Sequence, residues 1–276
     1  MTANASPEGC QGEGAPAPSC RRLLVIGSQG LPGLAGDLLP CDPASAPPPC
    51  DVAVLLGDPA LRGDHDELLR RNLEWVRAAA SALARTSPGC VFVVAARPVN
   101  ALALAALRAS GLPRGRVLGT AGLTDSLRLA ALIGRRLGVS SADVRTAVLG
   151  GCGESLVALP RLWSVGGIPA EELLARQELA DLGRAACAAA APEELSAAAA
   201  ALAGALLGAG RRLCTASVLL EGEYGVDGMF LAVPVVLGPG GLERIIQLNL
   251  KTAERSALQR AASAGRALRA ALEVLP

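Results

Sequence analysis

The strongest constraint in this sequence is an alternation of short apolar runs with helix-length stretches. Leu23–Ile26, Asp51–Leu56 (DVAVLL), Cys90–Ala96 (CVFVVAA) and Arg116–Leu118 each have the length of one buried strand. Between them, Asp66–Thr86 carries leucine, tryptophan, valine and alanine at helical spacing and ends near Pro88. Asn100–Ser110 is a second helical stretch, closed by Gly111 and Pro113. Runs without a polar alternate are strands covered on both faces. Strands separated by helices imply right-handed crossovers and a parallel sheet.

The pattern changes after Thr124. Asp125–Leu137 reads as a long helix stopped by Gly138, and Val144–Leu149 as one more strand. Helical stretches follow at Pro169–Ala190 and Glu193–Gly208. Then comes a hairpin of Leu213–Glu221 and Met229–Leu237 around a turn at Gly222–Asp227, a tight turn at Gly238–Gly241, and, over Leu242–Leu275, a strand or helix followed by a final helix. This half is α+β. The resulting division is a disordered tail over residues 1–20, rich in Gly, Pro, Ser and Ala, a truncated Rossmann-like α/β unit over 21–120, and an α+β unit over 121–276.

Composition removes several function classes. The 26 basic and 25 acidic residues leave a net charge of +1 and are spread along the chain, so nothing argues for nucleic acid or a membrane surface. Aromatics are 2% of the residues, too few for a base-stacking platform. None of the eight cysteines forms a CxxC pair, which argues against zinc-finger and thioredoxin chemistry, and their irregular spacing argues against a disulfide scaffold. They read as reduced thiols in a cytoplasmic protein. The first twenty residues show neither a basic n-region nor an apolar h-region. The alanine-rich run Ala185–Ala191 is broken by Pro192, Glu193 and Glu194 and is too short to span a bilayer.

Several segments, in order and at matching spacing, resemble one family. Ser87-Pro88-Gly89-Cys90, a strand, then Arg97-Pro98-Val99-Asn100 resembles SPxC…xNPVD. Leu112–Gly119 resembles FPxxRVIG, Asp125-Ser126-Leu127-Arg128 resembles DSxR, and Gly150–Ser155 sits where GEHGDS belongs. Glu221–Gly225 followed by Phe230–Gly238 resembles KGxYG…FLSVPxxLG. Together these resemble the L-lactate/malate dehydrogenases. The resemblance implies an NAD-binding Rossmann half, a catalytic α+β half, a homo-oligomer, and hydride transfer between nicotinamide and a small 2-hydroxy acid. Such a site needs a histidine acid, an aspartate to orient it, a mobile-loop arginine, an asparagine near the reacting oxygen, and an arginine that forks onto the substrate carboxylate.

Carried over residue by residue, the resemblance leaves gaps. Asp125 matches the orienting aspartate and Arg128 the carboxylate-binding arginine; at i and i+3 they share a helix face. Cys152 stands at the catalytic histidine position, and a thiol with an ordinary pKa near ~8.5 is a poor substitute for imidazole. His65, the only histidine, falls at the loop-arginine position. It reads more simply as a solvated loop residue. Arg97 replaces the asparagine and adds a cation beside Arg128; it reads as an arginine released from constraint or, more sharply, as altering a small-carboxylate site for a more anionic ligand. Ala189 lies near the family's substrate-specificity position, in an alanine tract where register is poor.

The cofactor half admits two registers. Gly27, Gly30 and Gly33 form a GxxGxxG turn after a strand, the pattern of a dinucleotide phosphate loop. The chain from Gly33 through Pro40 and Pro47–Pro49 to Asp51 leaves no room for the helix and strand that should follow. The preferred register sets Leu31–Leu38 against the family's TPGVAADL, which makes Leu23–Ile26 the fold's second strand and removes the glycine turn. NAD is then implied by resemblance while its site is damaged. The expected function is a non-catalytic lactate/malate-dehydrogenase-like binding or interaction module, similar to the degenerate dehydrogenase domain of ubiquitin-E2-variant fusions. The alternative is a divergent NAD-dependent L-2-hydroxy-acid oxidoreductase. A third reading of the composition break near residue 21 is a gene model lacking upstream exons; it restores no histidine at position 152.

Overall fold

The computed structural model describes residues 21–27, 30–34, 36–39, 47–57, 65–151, 155–188 and 190–274. The expected disordered tail, 1–20, lies outside them. The chain begins with β1 (Leu23–Ile26), β2 (Asp37–Leu39), β3 (Val52–Leu55), α1 (His65–Thr86), β4 (Val91–Val94), α2 (Val99–Ser110), β5 (Val117–Gly119) and α3 (Leu123–Leu137). It continues with β6 (Val144–Arg145), β7 (Val148–Gly150), β8 (Leu156–Ala158), β9 (Ser164–Val165), β10 (Ile168–Pro169), α4 (Arg176–Ala185) and α5 (Pro192–Leu207). A long hairpin of β11 (Arg212–Glu221) and β12 (Asp227–Gly238), then β13 (Gly241–Ile245) and α6 (Thr252–Val274), completes it.

The expected α/β class is what the structure has. One mixed sheet runs β2-β1-β3-β4-β5-β11-β12-β7-β8, with β13 also on β12. Its first five strands are parallel, and β11 continues it antiparallel through Ser217 opposite Gly119. The α/β and α+β halves therefore share one sheet. The strands are apolar on both faces because both faces are covered. Val52, Val54, Val91 and Val93 face Ala199, Leu202, Ala203 and Leu206 of α5. Ala53, Leu55, Phe92 and Val94 face Leu69, Leu73, Val76 and Leu83 of α1 and Leu102 and Ala106 of α2. Each fully buried leucine or valine contributes about 1.5–3 kcal/mol, and the alanines of α5 let that helix approach the sheet closely.

Three expectations need correction. First, β1 pairs directly with β3 while β2 lies outside it. Against the doubly wound order 3-2-1-4-5-6, the observed β2-β1-β3-β4-β5 reads as 2-1-4-5-6. Leu23–Ile26 thus fills the first-strand slot, not the second, with a paired strand on either side and all four residues buried. Second, Val144–Leu149 is two strands in two sheets: β6 pairs β9, and β7 pairs β8 and β12. The chain breaks at Thr146 and Ala147, where Thr146 Oγ1 donates to Ser126 O (2.7 Å) and Trp163 Nε1 donates to Ala147 O (3.2 Å). Third, the α-helix expected around Pro169–Ala190 starts only at Arg176, after a single 3-10 turn over Ala170–Glu172. Gly166 (φ 56°) and Gly167 (φ 86°) turn β9 into β10, using the positive φ at both turn positions that tight hairpins need. Helix resumes as α4.

Among the described residues no helix is long and apolar enough to cross a membrane.

Candidate functional site

The site forms at the C-terminal end of β5, the edge at which open parallel sheets place their ligands. Thr120 and Ala121 lead from the strand to Gly122, which has φ 79°. A Cβ on Gly122 would lie 2.4 Å from Ala232 Cβ and 2.8 Å from Thr215 Cγ2, so only glycine lets the start of α3 sit against β11 and β12. This seating buries the first turn of α3 and with it Asp125, which is 2% exposed.

Asp125 and Arg128 share a face, as their spacing predicts, with Oδ1 4.0 Å from Nη1. Asp125 Oδ2 has no hydrogen-bond partner among the described residues, nor do the buried hydroxyls of neighbouring Thr120 and Ser126. Burial pushes the Asp125 carboxyl up to about 6, against the opposing pull of Arg128 and the Gly122 backbone N–H. Its mid-point thus lies near pH 6, so at neutral pH it is mainly carboxylate but keeps a protonated fraction that a surface aspartate lacks.

Arg128 is nearly enclosed, its side chain 9% exposed. Its guanidinium meets Glu194 edge-on: Nε donates to Oε1 (2.8 Å) and Nη2 to Oε2 (2.5 Å). Nη1 donates to Ala186 O (3.0 Å) and to Ala188 O. Planar fork-to-carboxylate pairing of this kind is what arginine offers and lysine does not. Glu194 also accepts from Ala191 N (2.7 Å), capping α5. The Arg128 hydrogen bonds are the main reason its carboxyl is held below the usual range.

Arg97 follows β4. Its carbonyl accepts from Asn72 Nδ2 (2.7 Å), and its Nη1 donates to Ala190 O (3.3 Å). Arg97 and Arg128 are thus brought to one segment, the connection between α4 and α5, with Ala189 outside the described residues. Asn100, at the last position of the Arg97–Asn100 block, accepts from Ser217 Oγ (2.6 Å) and lies near Gly151, whose N–H donates to Ser155 O (3.0 Å). Cys152, between those two residues, lies outside the described set. His65 opens α1 rather than sitting in a loop, and its side chain is not described. As it is the chain's only histidine, no described side chain is an imidazole.

The nicotinamide dinucleotide implied by the resemblance needs a phosphate cradle. Gly27 ends β1 where a Cβ would meet Leu56 O at 2.8 Å, Gly30 is exposed, and Gly33 has φ 72° with open space around it. The described residues between β1 and β2 form turns and no helix. The pattern therefore lacks the helix N-terminus that would aim N–H groups at a pyrophosphate, and these residues do not fit that part of the cofactor. Among the described residues no cluster of His, Cys, Asp and Glu is suited to a metal.

Glu194 and Ser217 were not singled out by the sequence. Pro192 at the first helical position with Glu194 two residues on signals a helix start, but nothing in it points to Arg128, 66 residues away.

Residues 123–273 match the family profile described as lactate/malate dehydrogenase, alpha/beta C-terminal domain. The chain is 36% identical over 240 residues to a malate dehydrogenase of Thermomicrobium roseum, covering 81% of this chain and 76% of that one. It is also 36% identical over 237 residues to a malate dehydrogenase of Desulforudis audaxviator, covering 81% and 77%. Its structure superposes on a malate dehydrogenase from Salinibacter ruber with a TM-score of 0.77 at 30% identity, over 87% of this chain and 81% of that one. A minor L-lactate dehydrogenase from Enterococcus mundtii shares the fold at a TM-score of 0.80 and 20% identity, over 93% and 100%. A buried Asp–Arg pair on the helix after β5, the mixed sheet behind it, and these likenesses along most of the chain place it in the lactate/malate dehydrogenase family.

Proposed function

We propose that this chain keeps the family's carboxylate-recognising half and has lost most of its dehydrogenase turnover, so that it serves as a binding or interaction module for small carboxylates. The observation that carries this reading is the orphaned Asp125 Oδ2 in a chain whose one histidine opens α1. An aspartate in this place is useful to hydride chemistry by orienting an imidazole, and loss of a general acid costs typically about 10²–10⁴ in rate. The proposal includes a homo-oligomer in the cytoplasm, the first part open to light scattering on the purified protein.

A second reading, a divergent NAD-dependent L-2-hydroxy-acid oxidoreductase, has its own support. The chain's relatives named above are malate dehydrogenases, and Asp125, with its carboxyl raised to about 6, is itself able to hold and release a proton near neutral pH.

Fluorescence titration with NADH, with and without oxamate, followed by assay with pyruvate and oxaloacetate, separates the two. Failure to bind millimolar NADH would sink the oxidoreductase reading. Turnover within about tenfold of a histidine-bearing family member is incompatible with a loss of 10² or more and would sink the module reading. Between these limits, a Cys152→His variant should gain rate only where the rest of the relay survives.

A further inference from the structure

Arg128 already has a carboxylate. We infer that Glu194 is a resident carboxylate that occupies the place of a ligand carboxylate on Arg128, so that a ligand enters this subsite only by displacing it. The inference rests on the reading of Arg128 as the carboxylate-binding residue. It makes Glu194 a specificity-determining residue that no pattern in the sequence assigns.

Three observations point the same way. The first is geometry: Nε and Nη2 meet the two oxygens of Glu194, the same edge-on arrangement that a free carboxylate would take. The second is that the other edge of the guanidinium is engaged by Ala186 O and Ala188 O, so the Glu194 edge is where exchange has to occur. The third is an asymmetry of exposure. The Glu194 side chain is 34% exposed and Arg128 only 9%. Glu194 can rotate out and be solvated, whereas the nearly enclosed Arg128 would lose both fork hydrogen bonds and be left with the longer contact to the Asp125 carboxyl, 4.0 Å away, which favours a new carboxylate partner. An incoming anion supplies that partner. Capping of α5 does not require the charge, because a glutamine at the same position accepts from Ala191 N equally well.

Occupation of the fork by Glu194 lowers ligand affinity by the fraction of molecules in which the fork is open. Calorimetric titration of the full chain with malonate tests this. Glu194→Gln should bind malonate at least about tenfold more tightly than the native chain, and adding Arg128→Ala should abolish the gain. If native chain and Glu194→Gln bind equally, and both lose binding with Arg128→Ala, the resident-carboxylate inference is wrong while the Arg128 subsite stands. If neither binds at millimolar malonate, both the inference and the subsite reading fall. A gain that survives Arg128→Ala also overturns the inference. Circular dichroism and melting establish that the variants fold. Should Glu194→Gln not fold, Glu194→Asp, one methylene short of the fork, provides the same test: a tighter malonate complex is expected, and an unchanged one overturns the inference.

Discussion

Asp125 and Arg128 stand one helical turn apart on α3, 4.0 Å between Oδ1 and Nη1, yet Arg128 directs its fork at Glu194. Asp125 is thereby left as a buried carboxyl whose second oxygen lacks a hydrogen-bond partner among the described residues.

That arrangement has a pH signature. The Asp125 carboxyl is raised from 3.8 to about 6 in the fold, chiefly by burial. A raised folded value means that the native state holds its proton more tightly than the unfolded chain. The stability from this group is fully present below about 3.8 and is lost as pH rises through about 6. A shift of this size corresponds to roughly 3 kcal/mol at most. Asp125→Asn should therefore equal the native chain in stability near pH 4 and exceed it by about 1–3 kcal/mol at pH 8. Urea unfolding of both proteins across this range checks it, and a stability difference that does not change with pH contradicts the assignment.

Gly122 is the hinge on which this geometry depends. With φ 79° and a Cβ position 2.4 Å from Ala232 Cβ, it combines a left-handed backbone with no room for a methyl group. Gly122→Ala should cost about 2–4 kcal/mol, the sum of backbone strain and overpacking. It should also move the first turn of α3, so that the Asp125 pH dependence weakens. Denaturation together with the pH series reads both, and a variant as stable as the native chain would show that α3 is seated by other contacts.

Arg161 and Glu254 tie the turn after β8 to the start of α6. Arg161 Nε and Nη2 meet Oε1 and Oε2 at 2.9 and 3.1 Å, with Asn249 O as a further acceptor. Glu254 also caps Lys251 N (2.8 Å). The Arg161 hydrogen bond holds the Glu254 carboxyl below its ordinary value, so this contribution is present above the ordinary carboxylate range and is lost as pH falls through the depressed value. A double-mutant cycle with Arg161→Ala and Glu254→Ala should show a coupling of about 1 kcal/mol at low salt. It should shrink in molar salt; a coupling near zero at low salt would mean that the pair is incidental.

Sequence alone determined the architecture where local patterns suffice. The apolar runs at β3 and β4 had to be covered on both faces, and Asp125 with Arg128 had to share a side of one helix, because helical and strand periods carry such information over a few residues. The absence of a histidine at position 152 was equally legible. Tertiary structure alone decided that β1 lies beside β3, that Val144–Leu149 divides between two sheets, and that Arg128 pairs with Glu194 across 66 residues. The physical reason is that strand neighbours and buried ion pairs are selected by distance and desolvation in the folded chain. Spacing along the sequence fixes neither one beyond a single turn or strand.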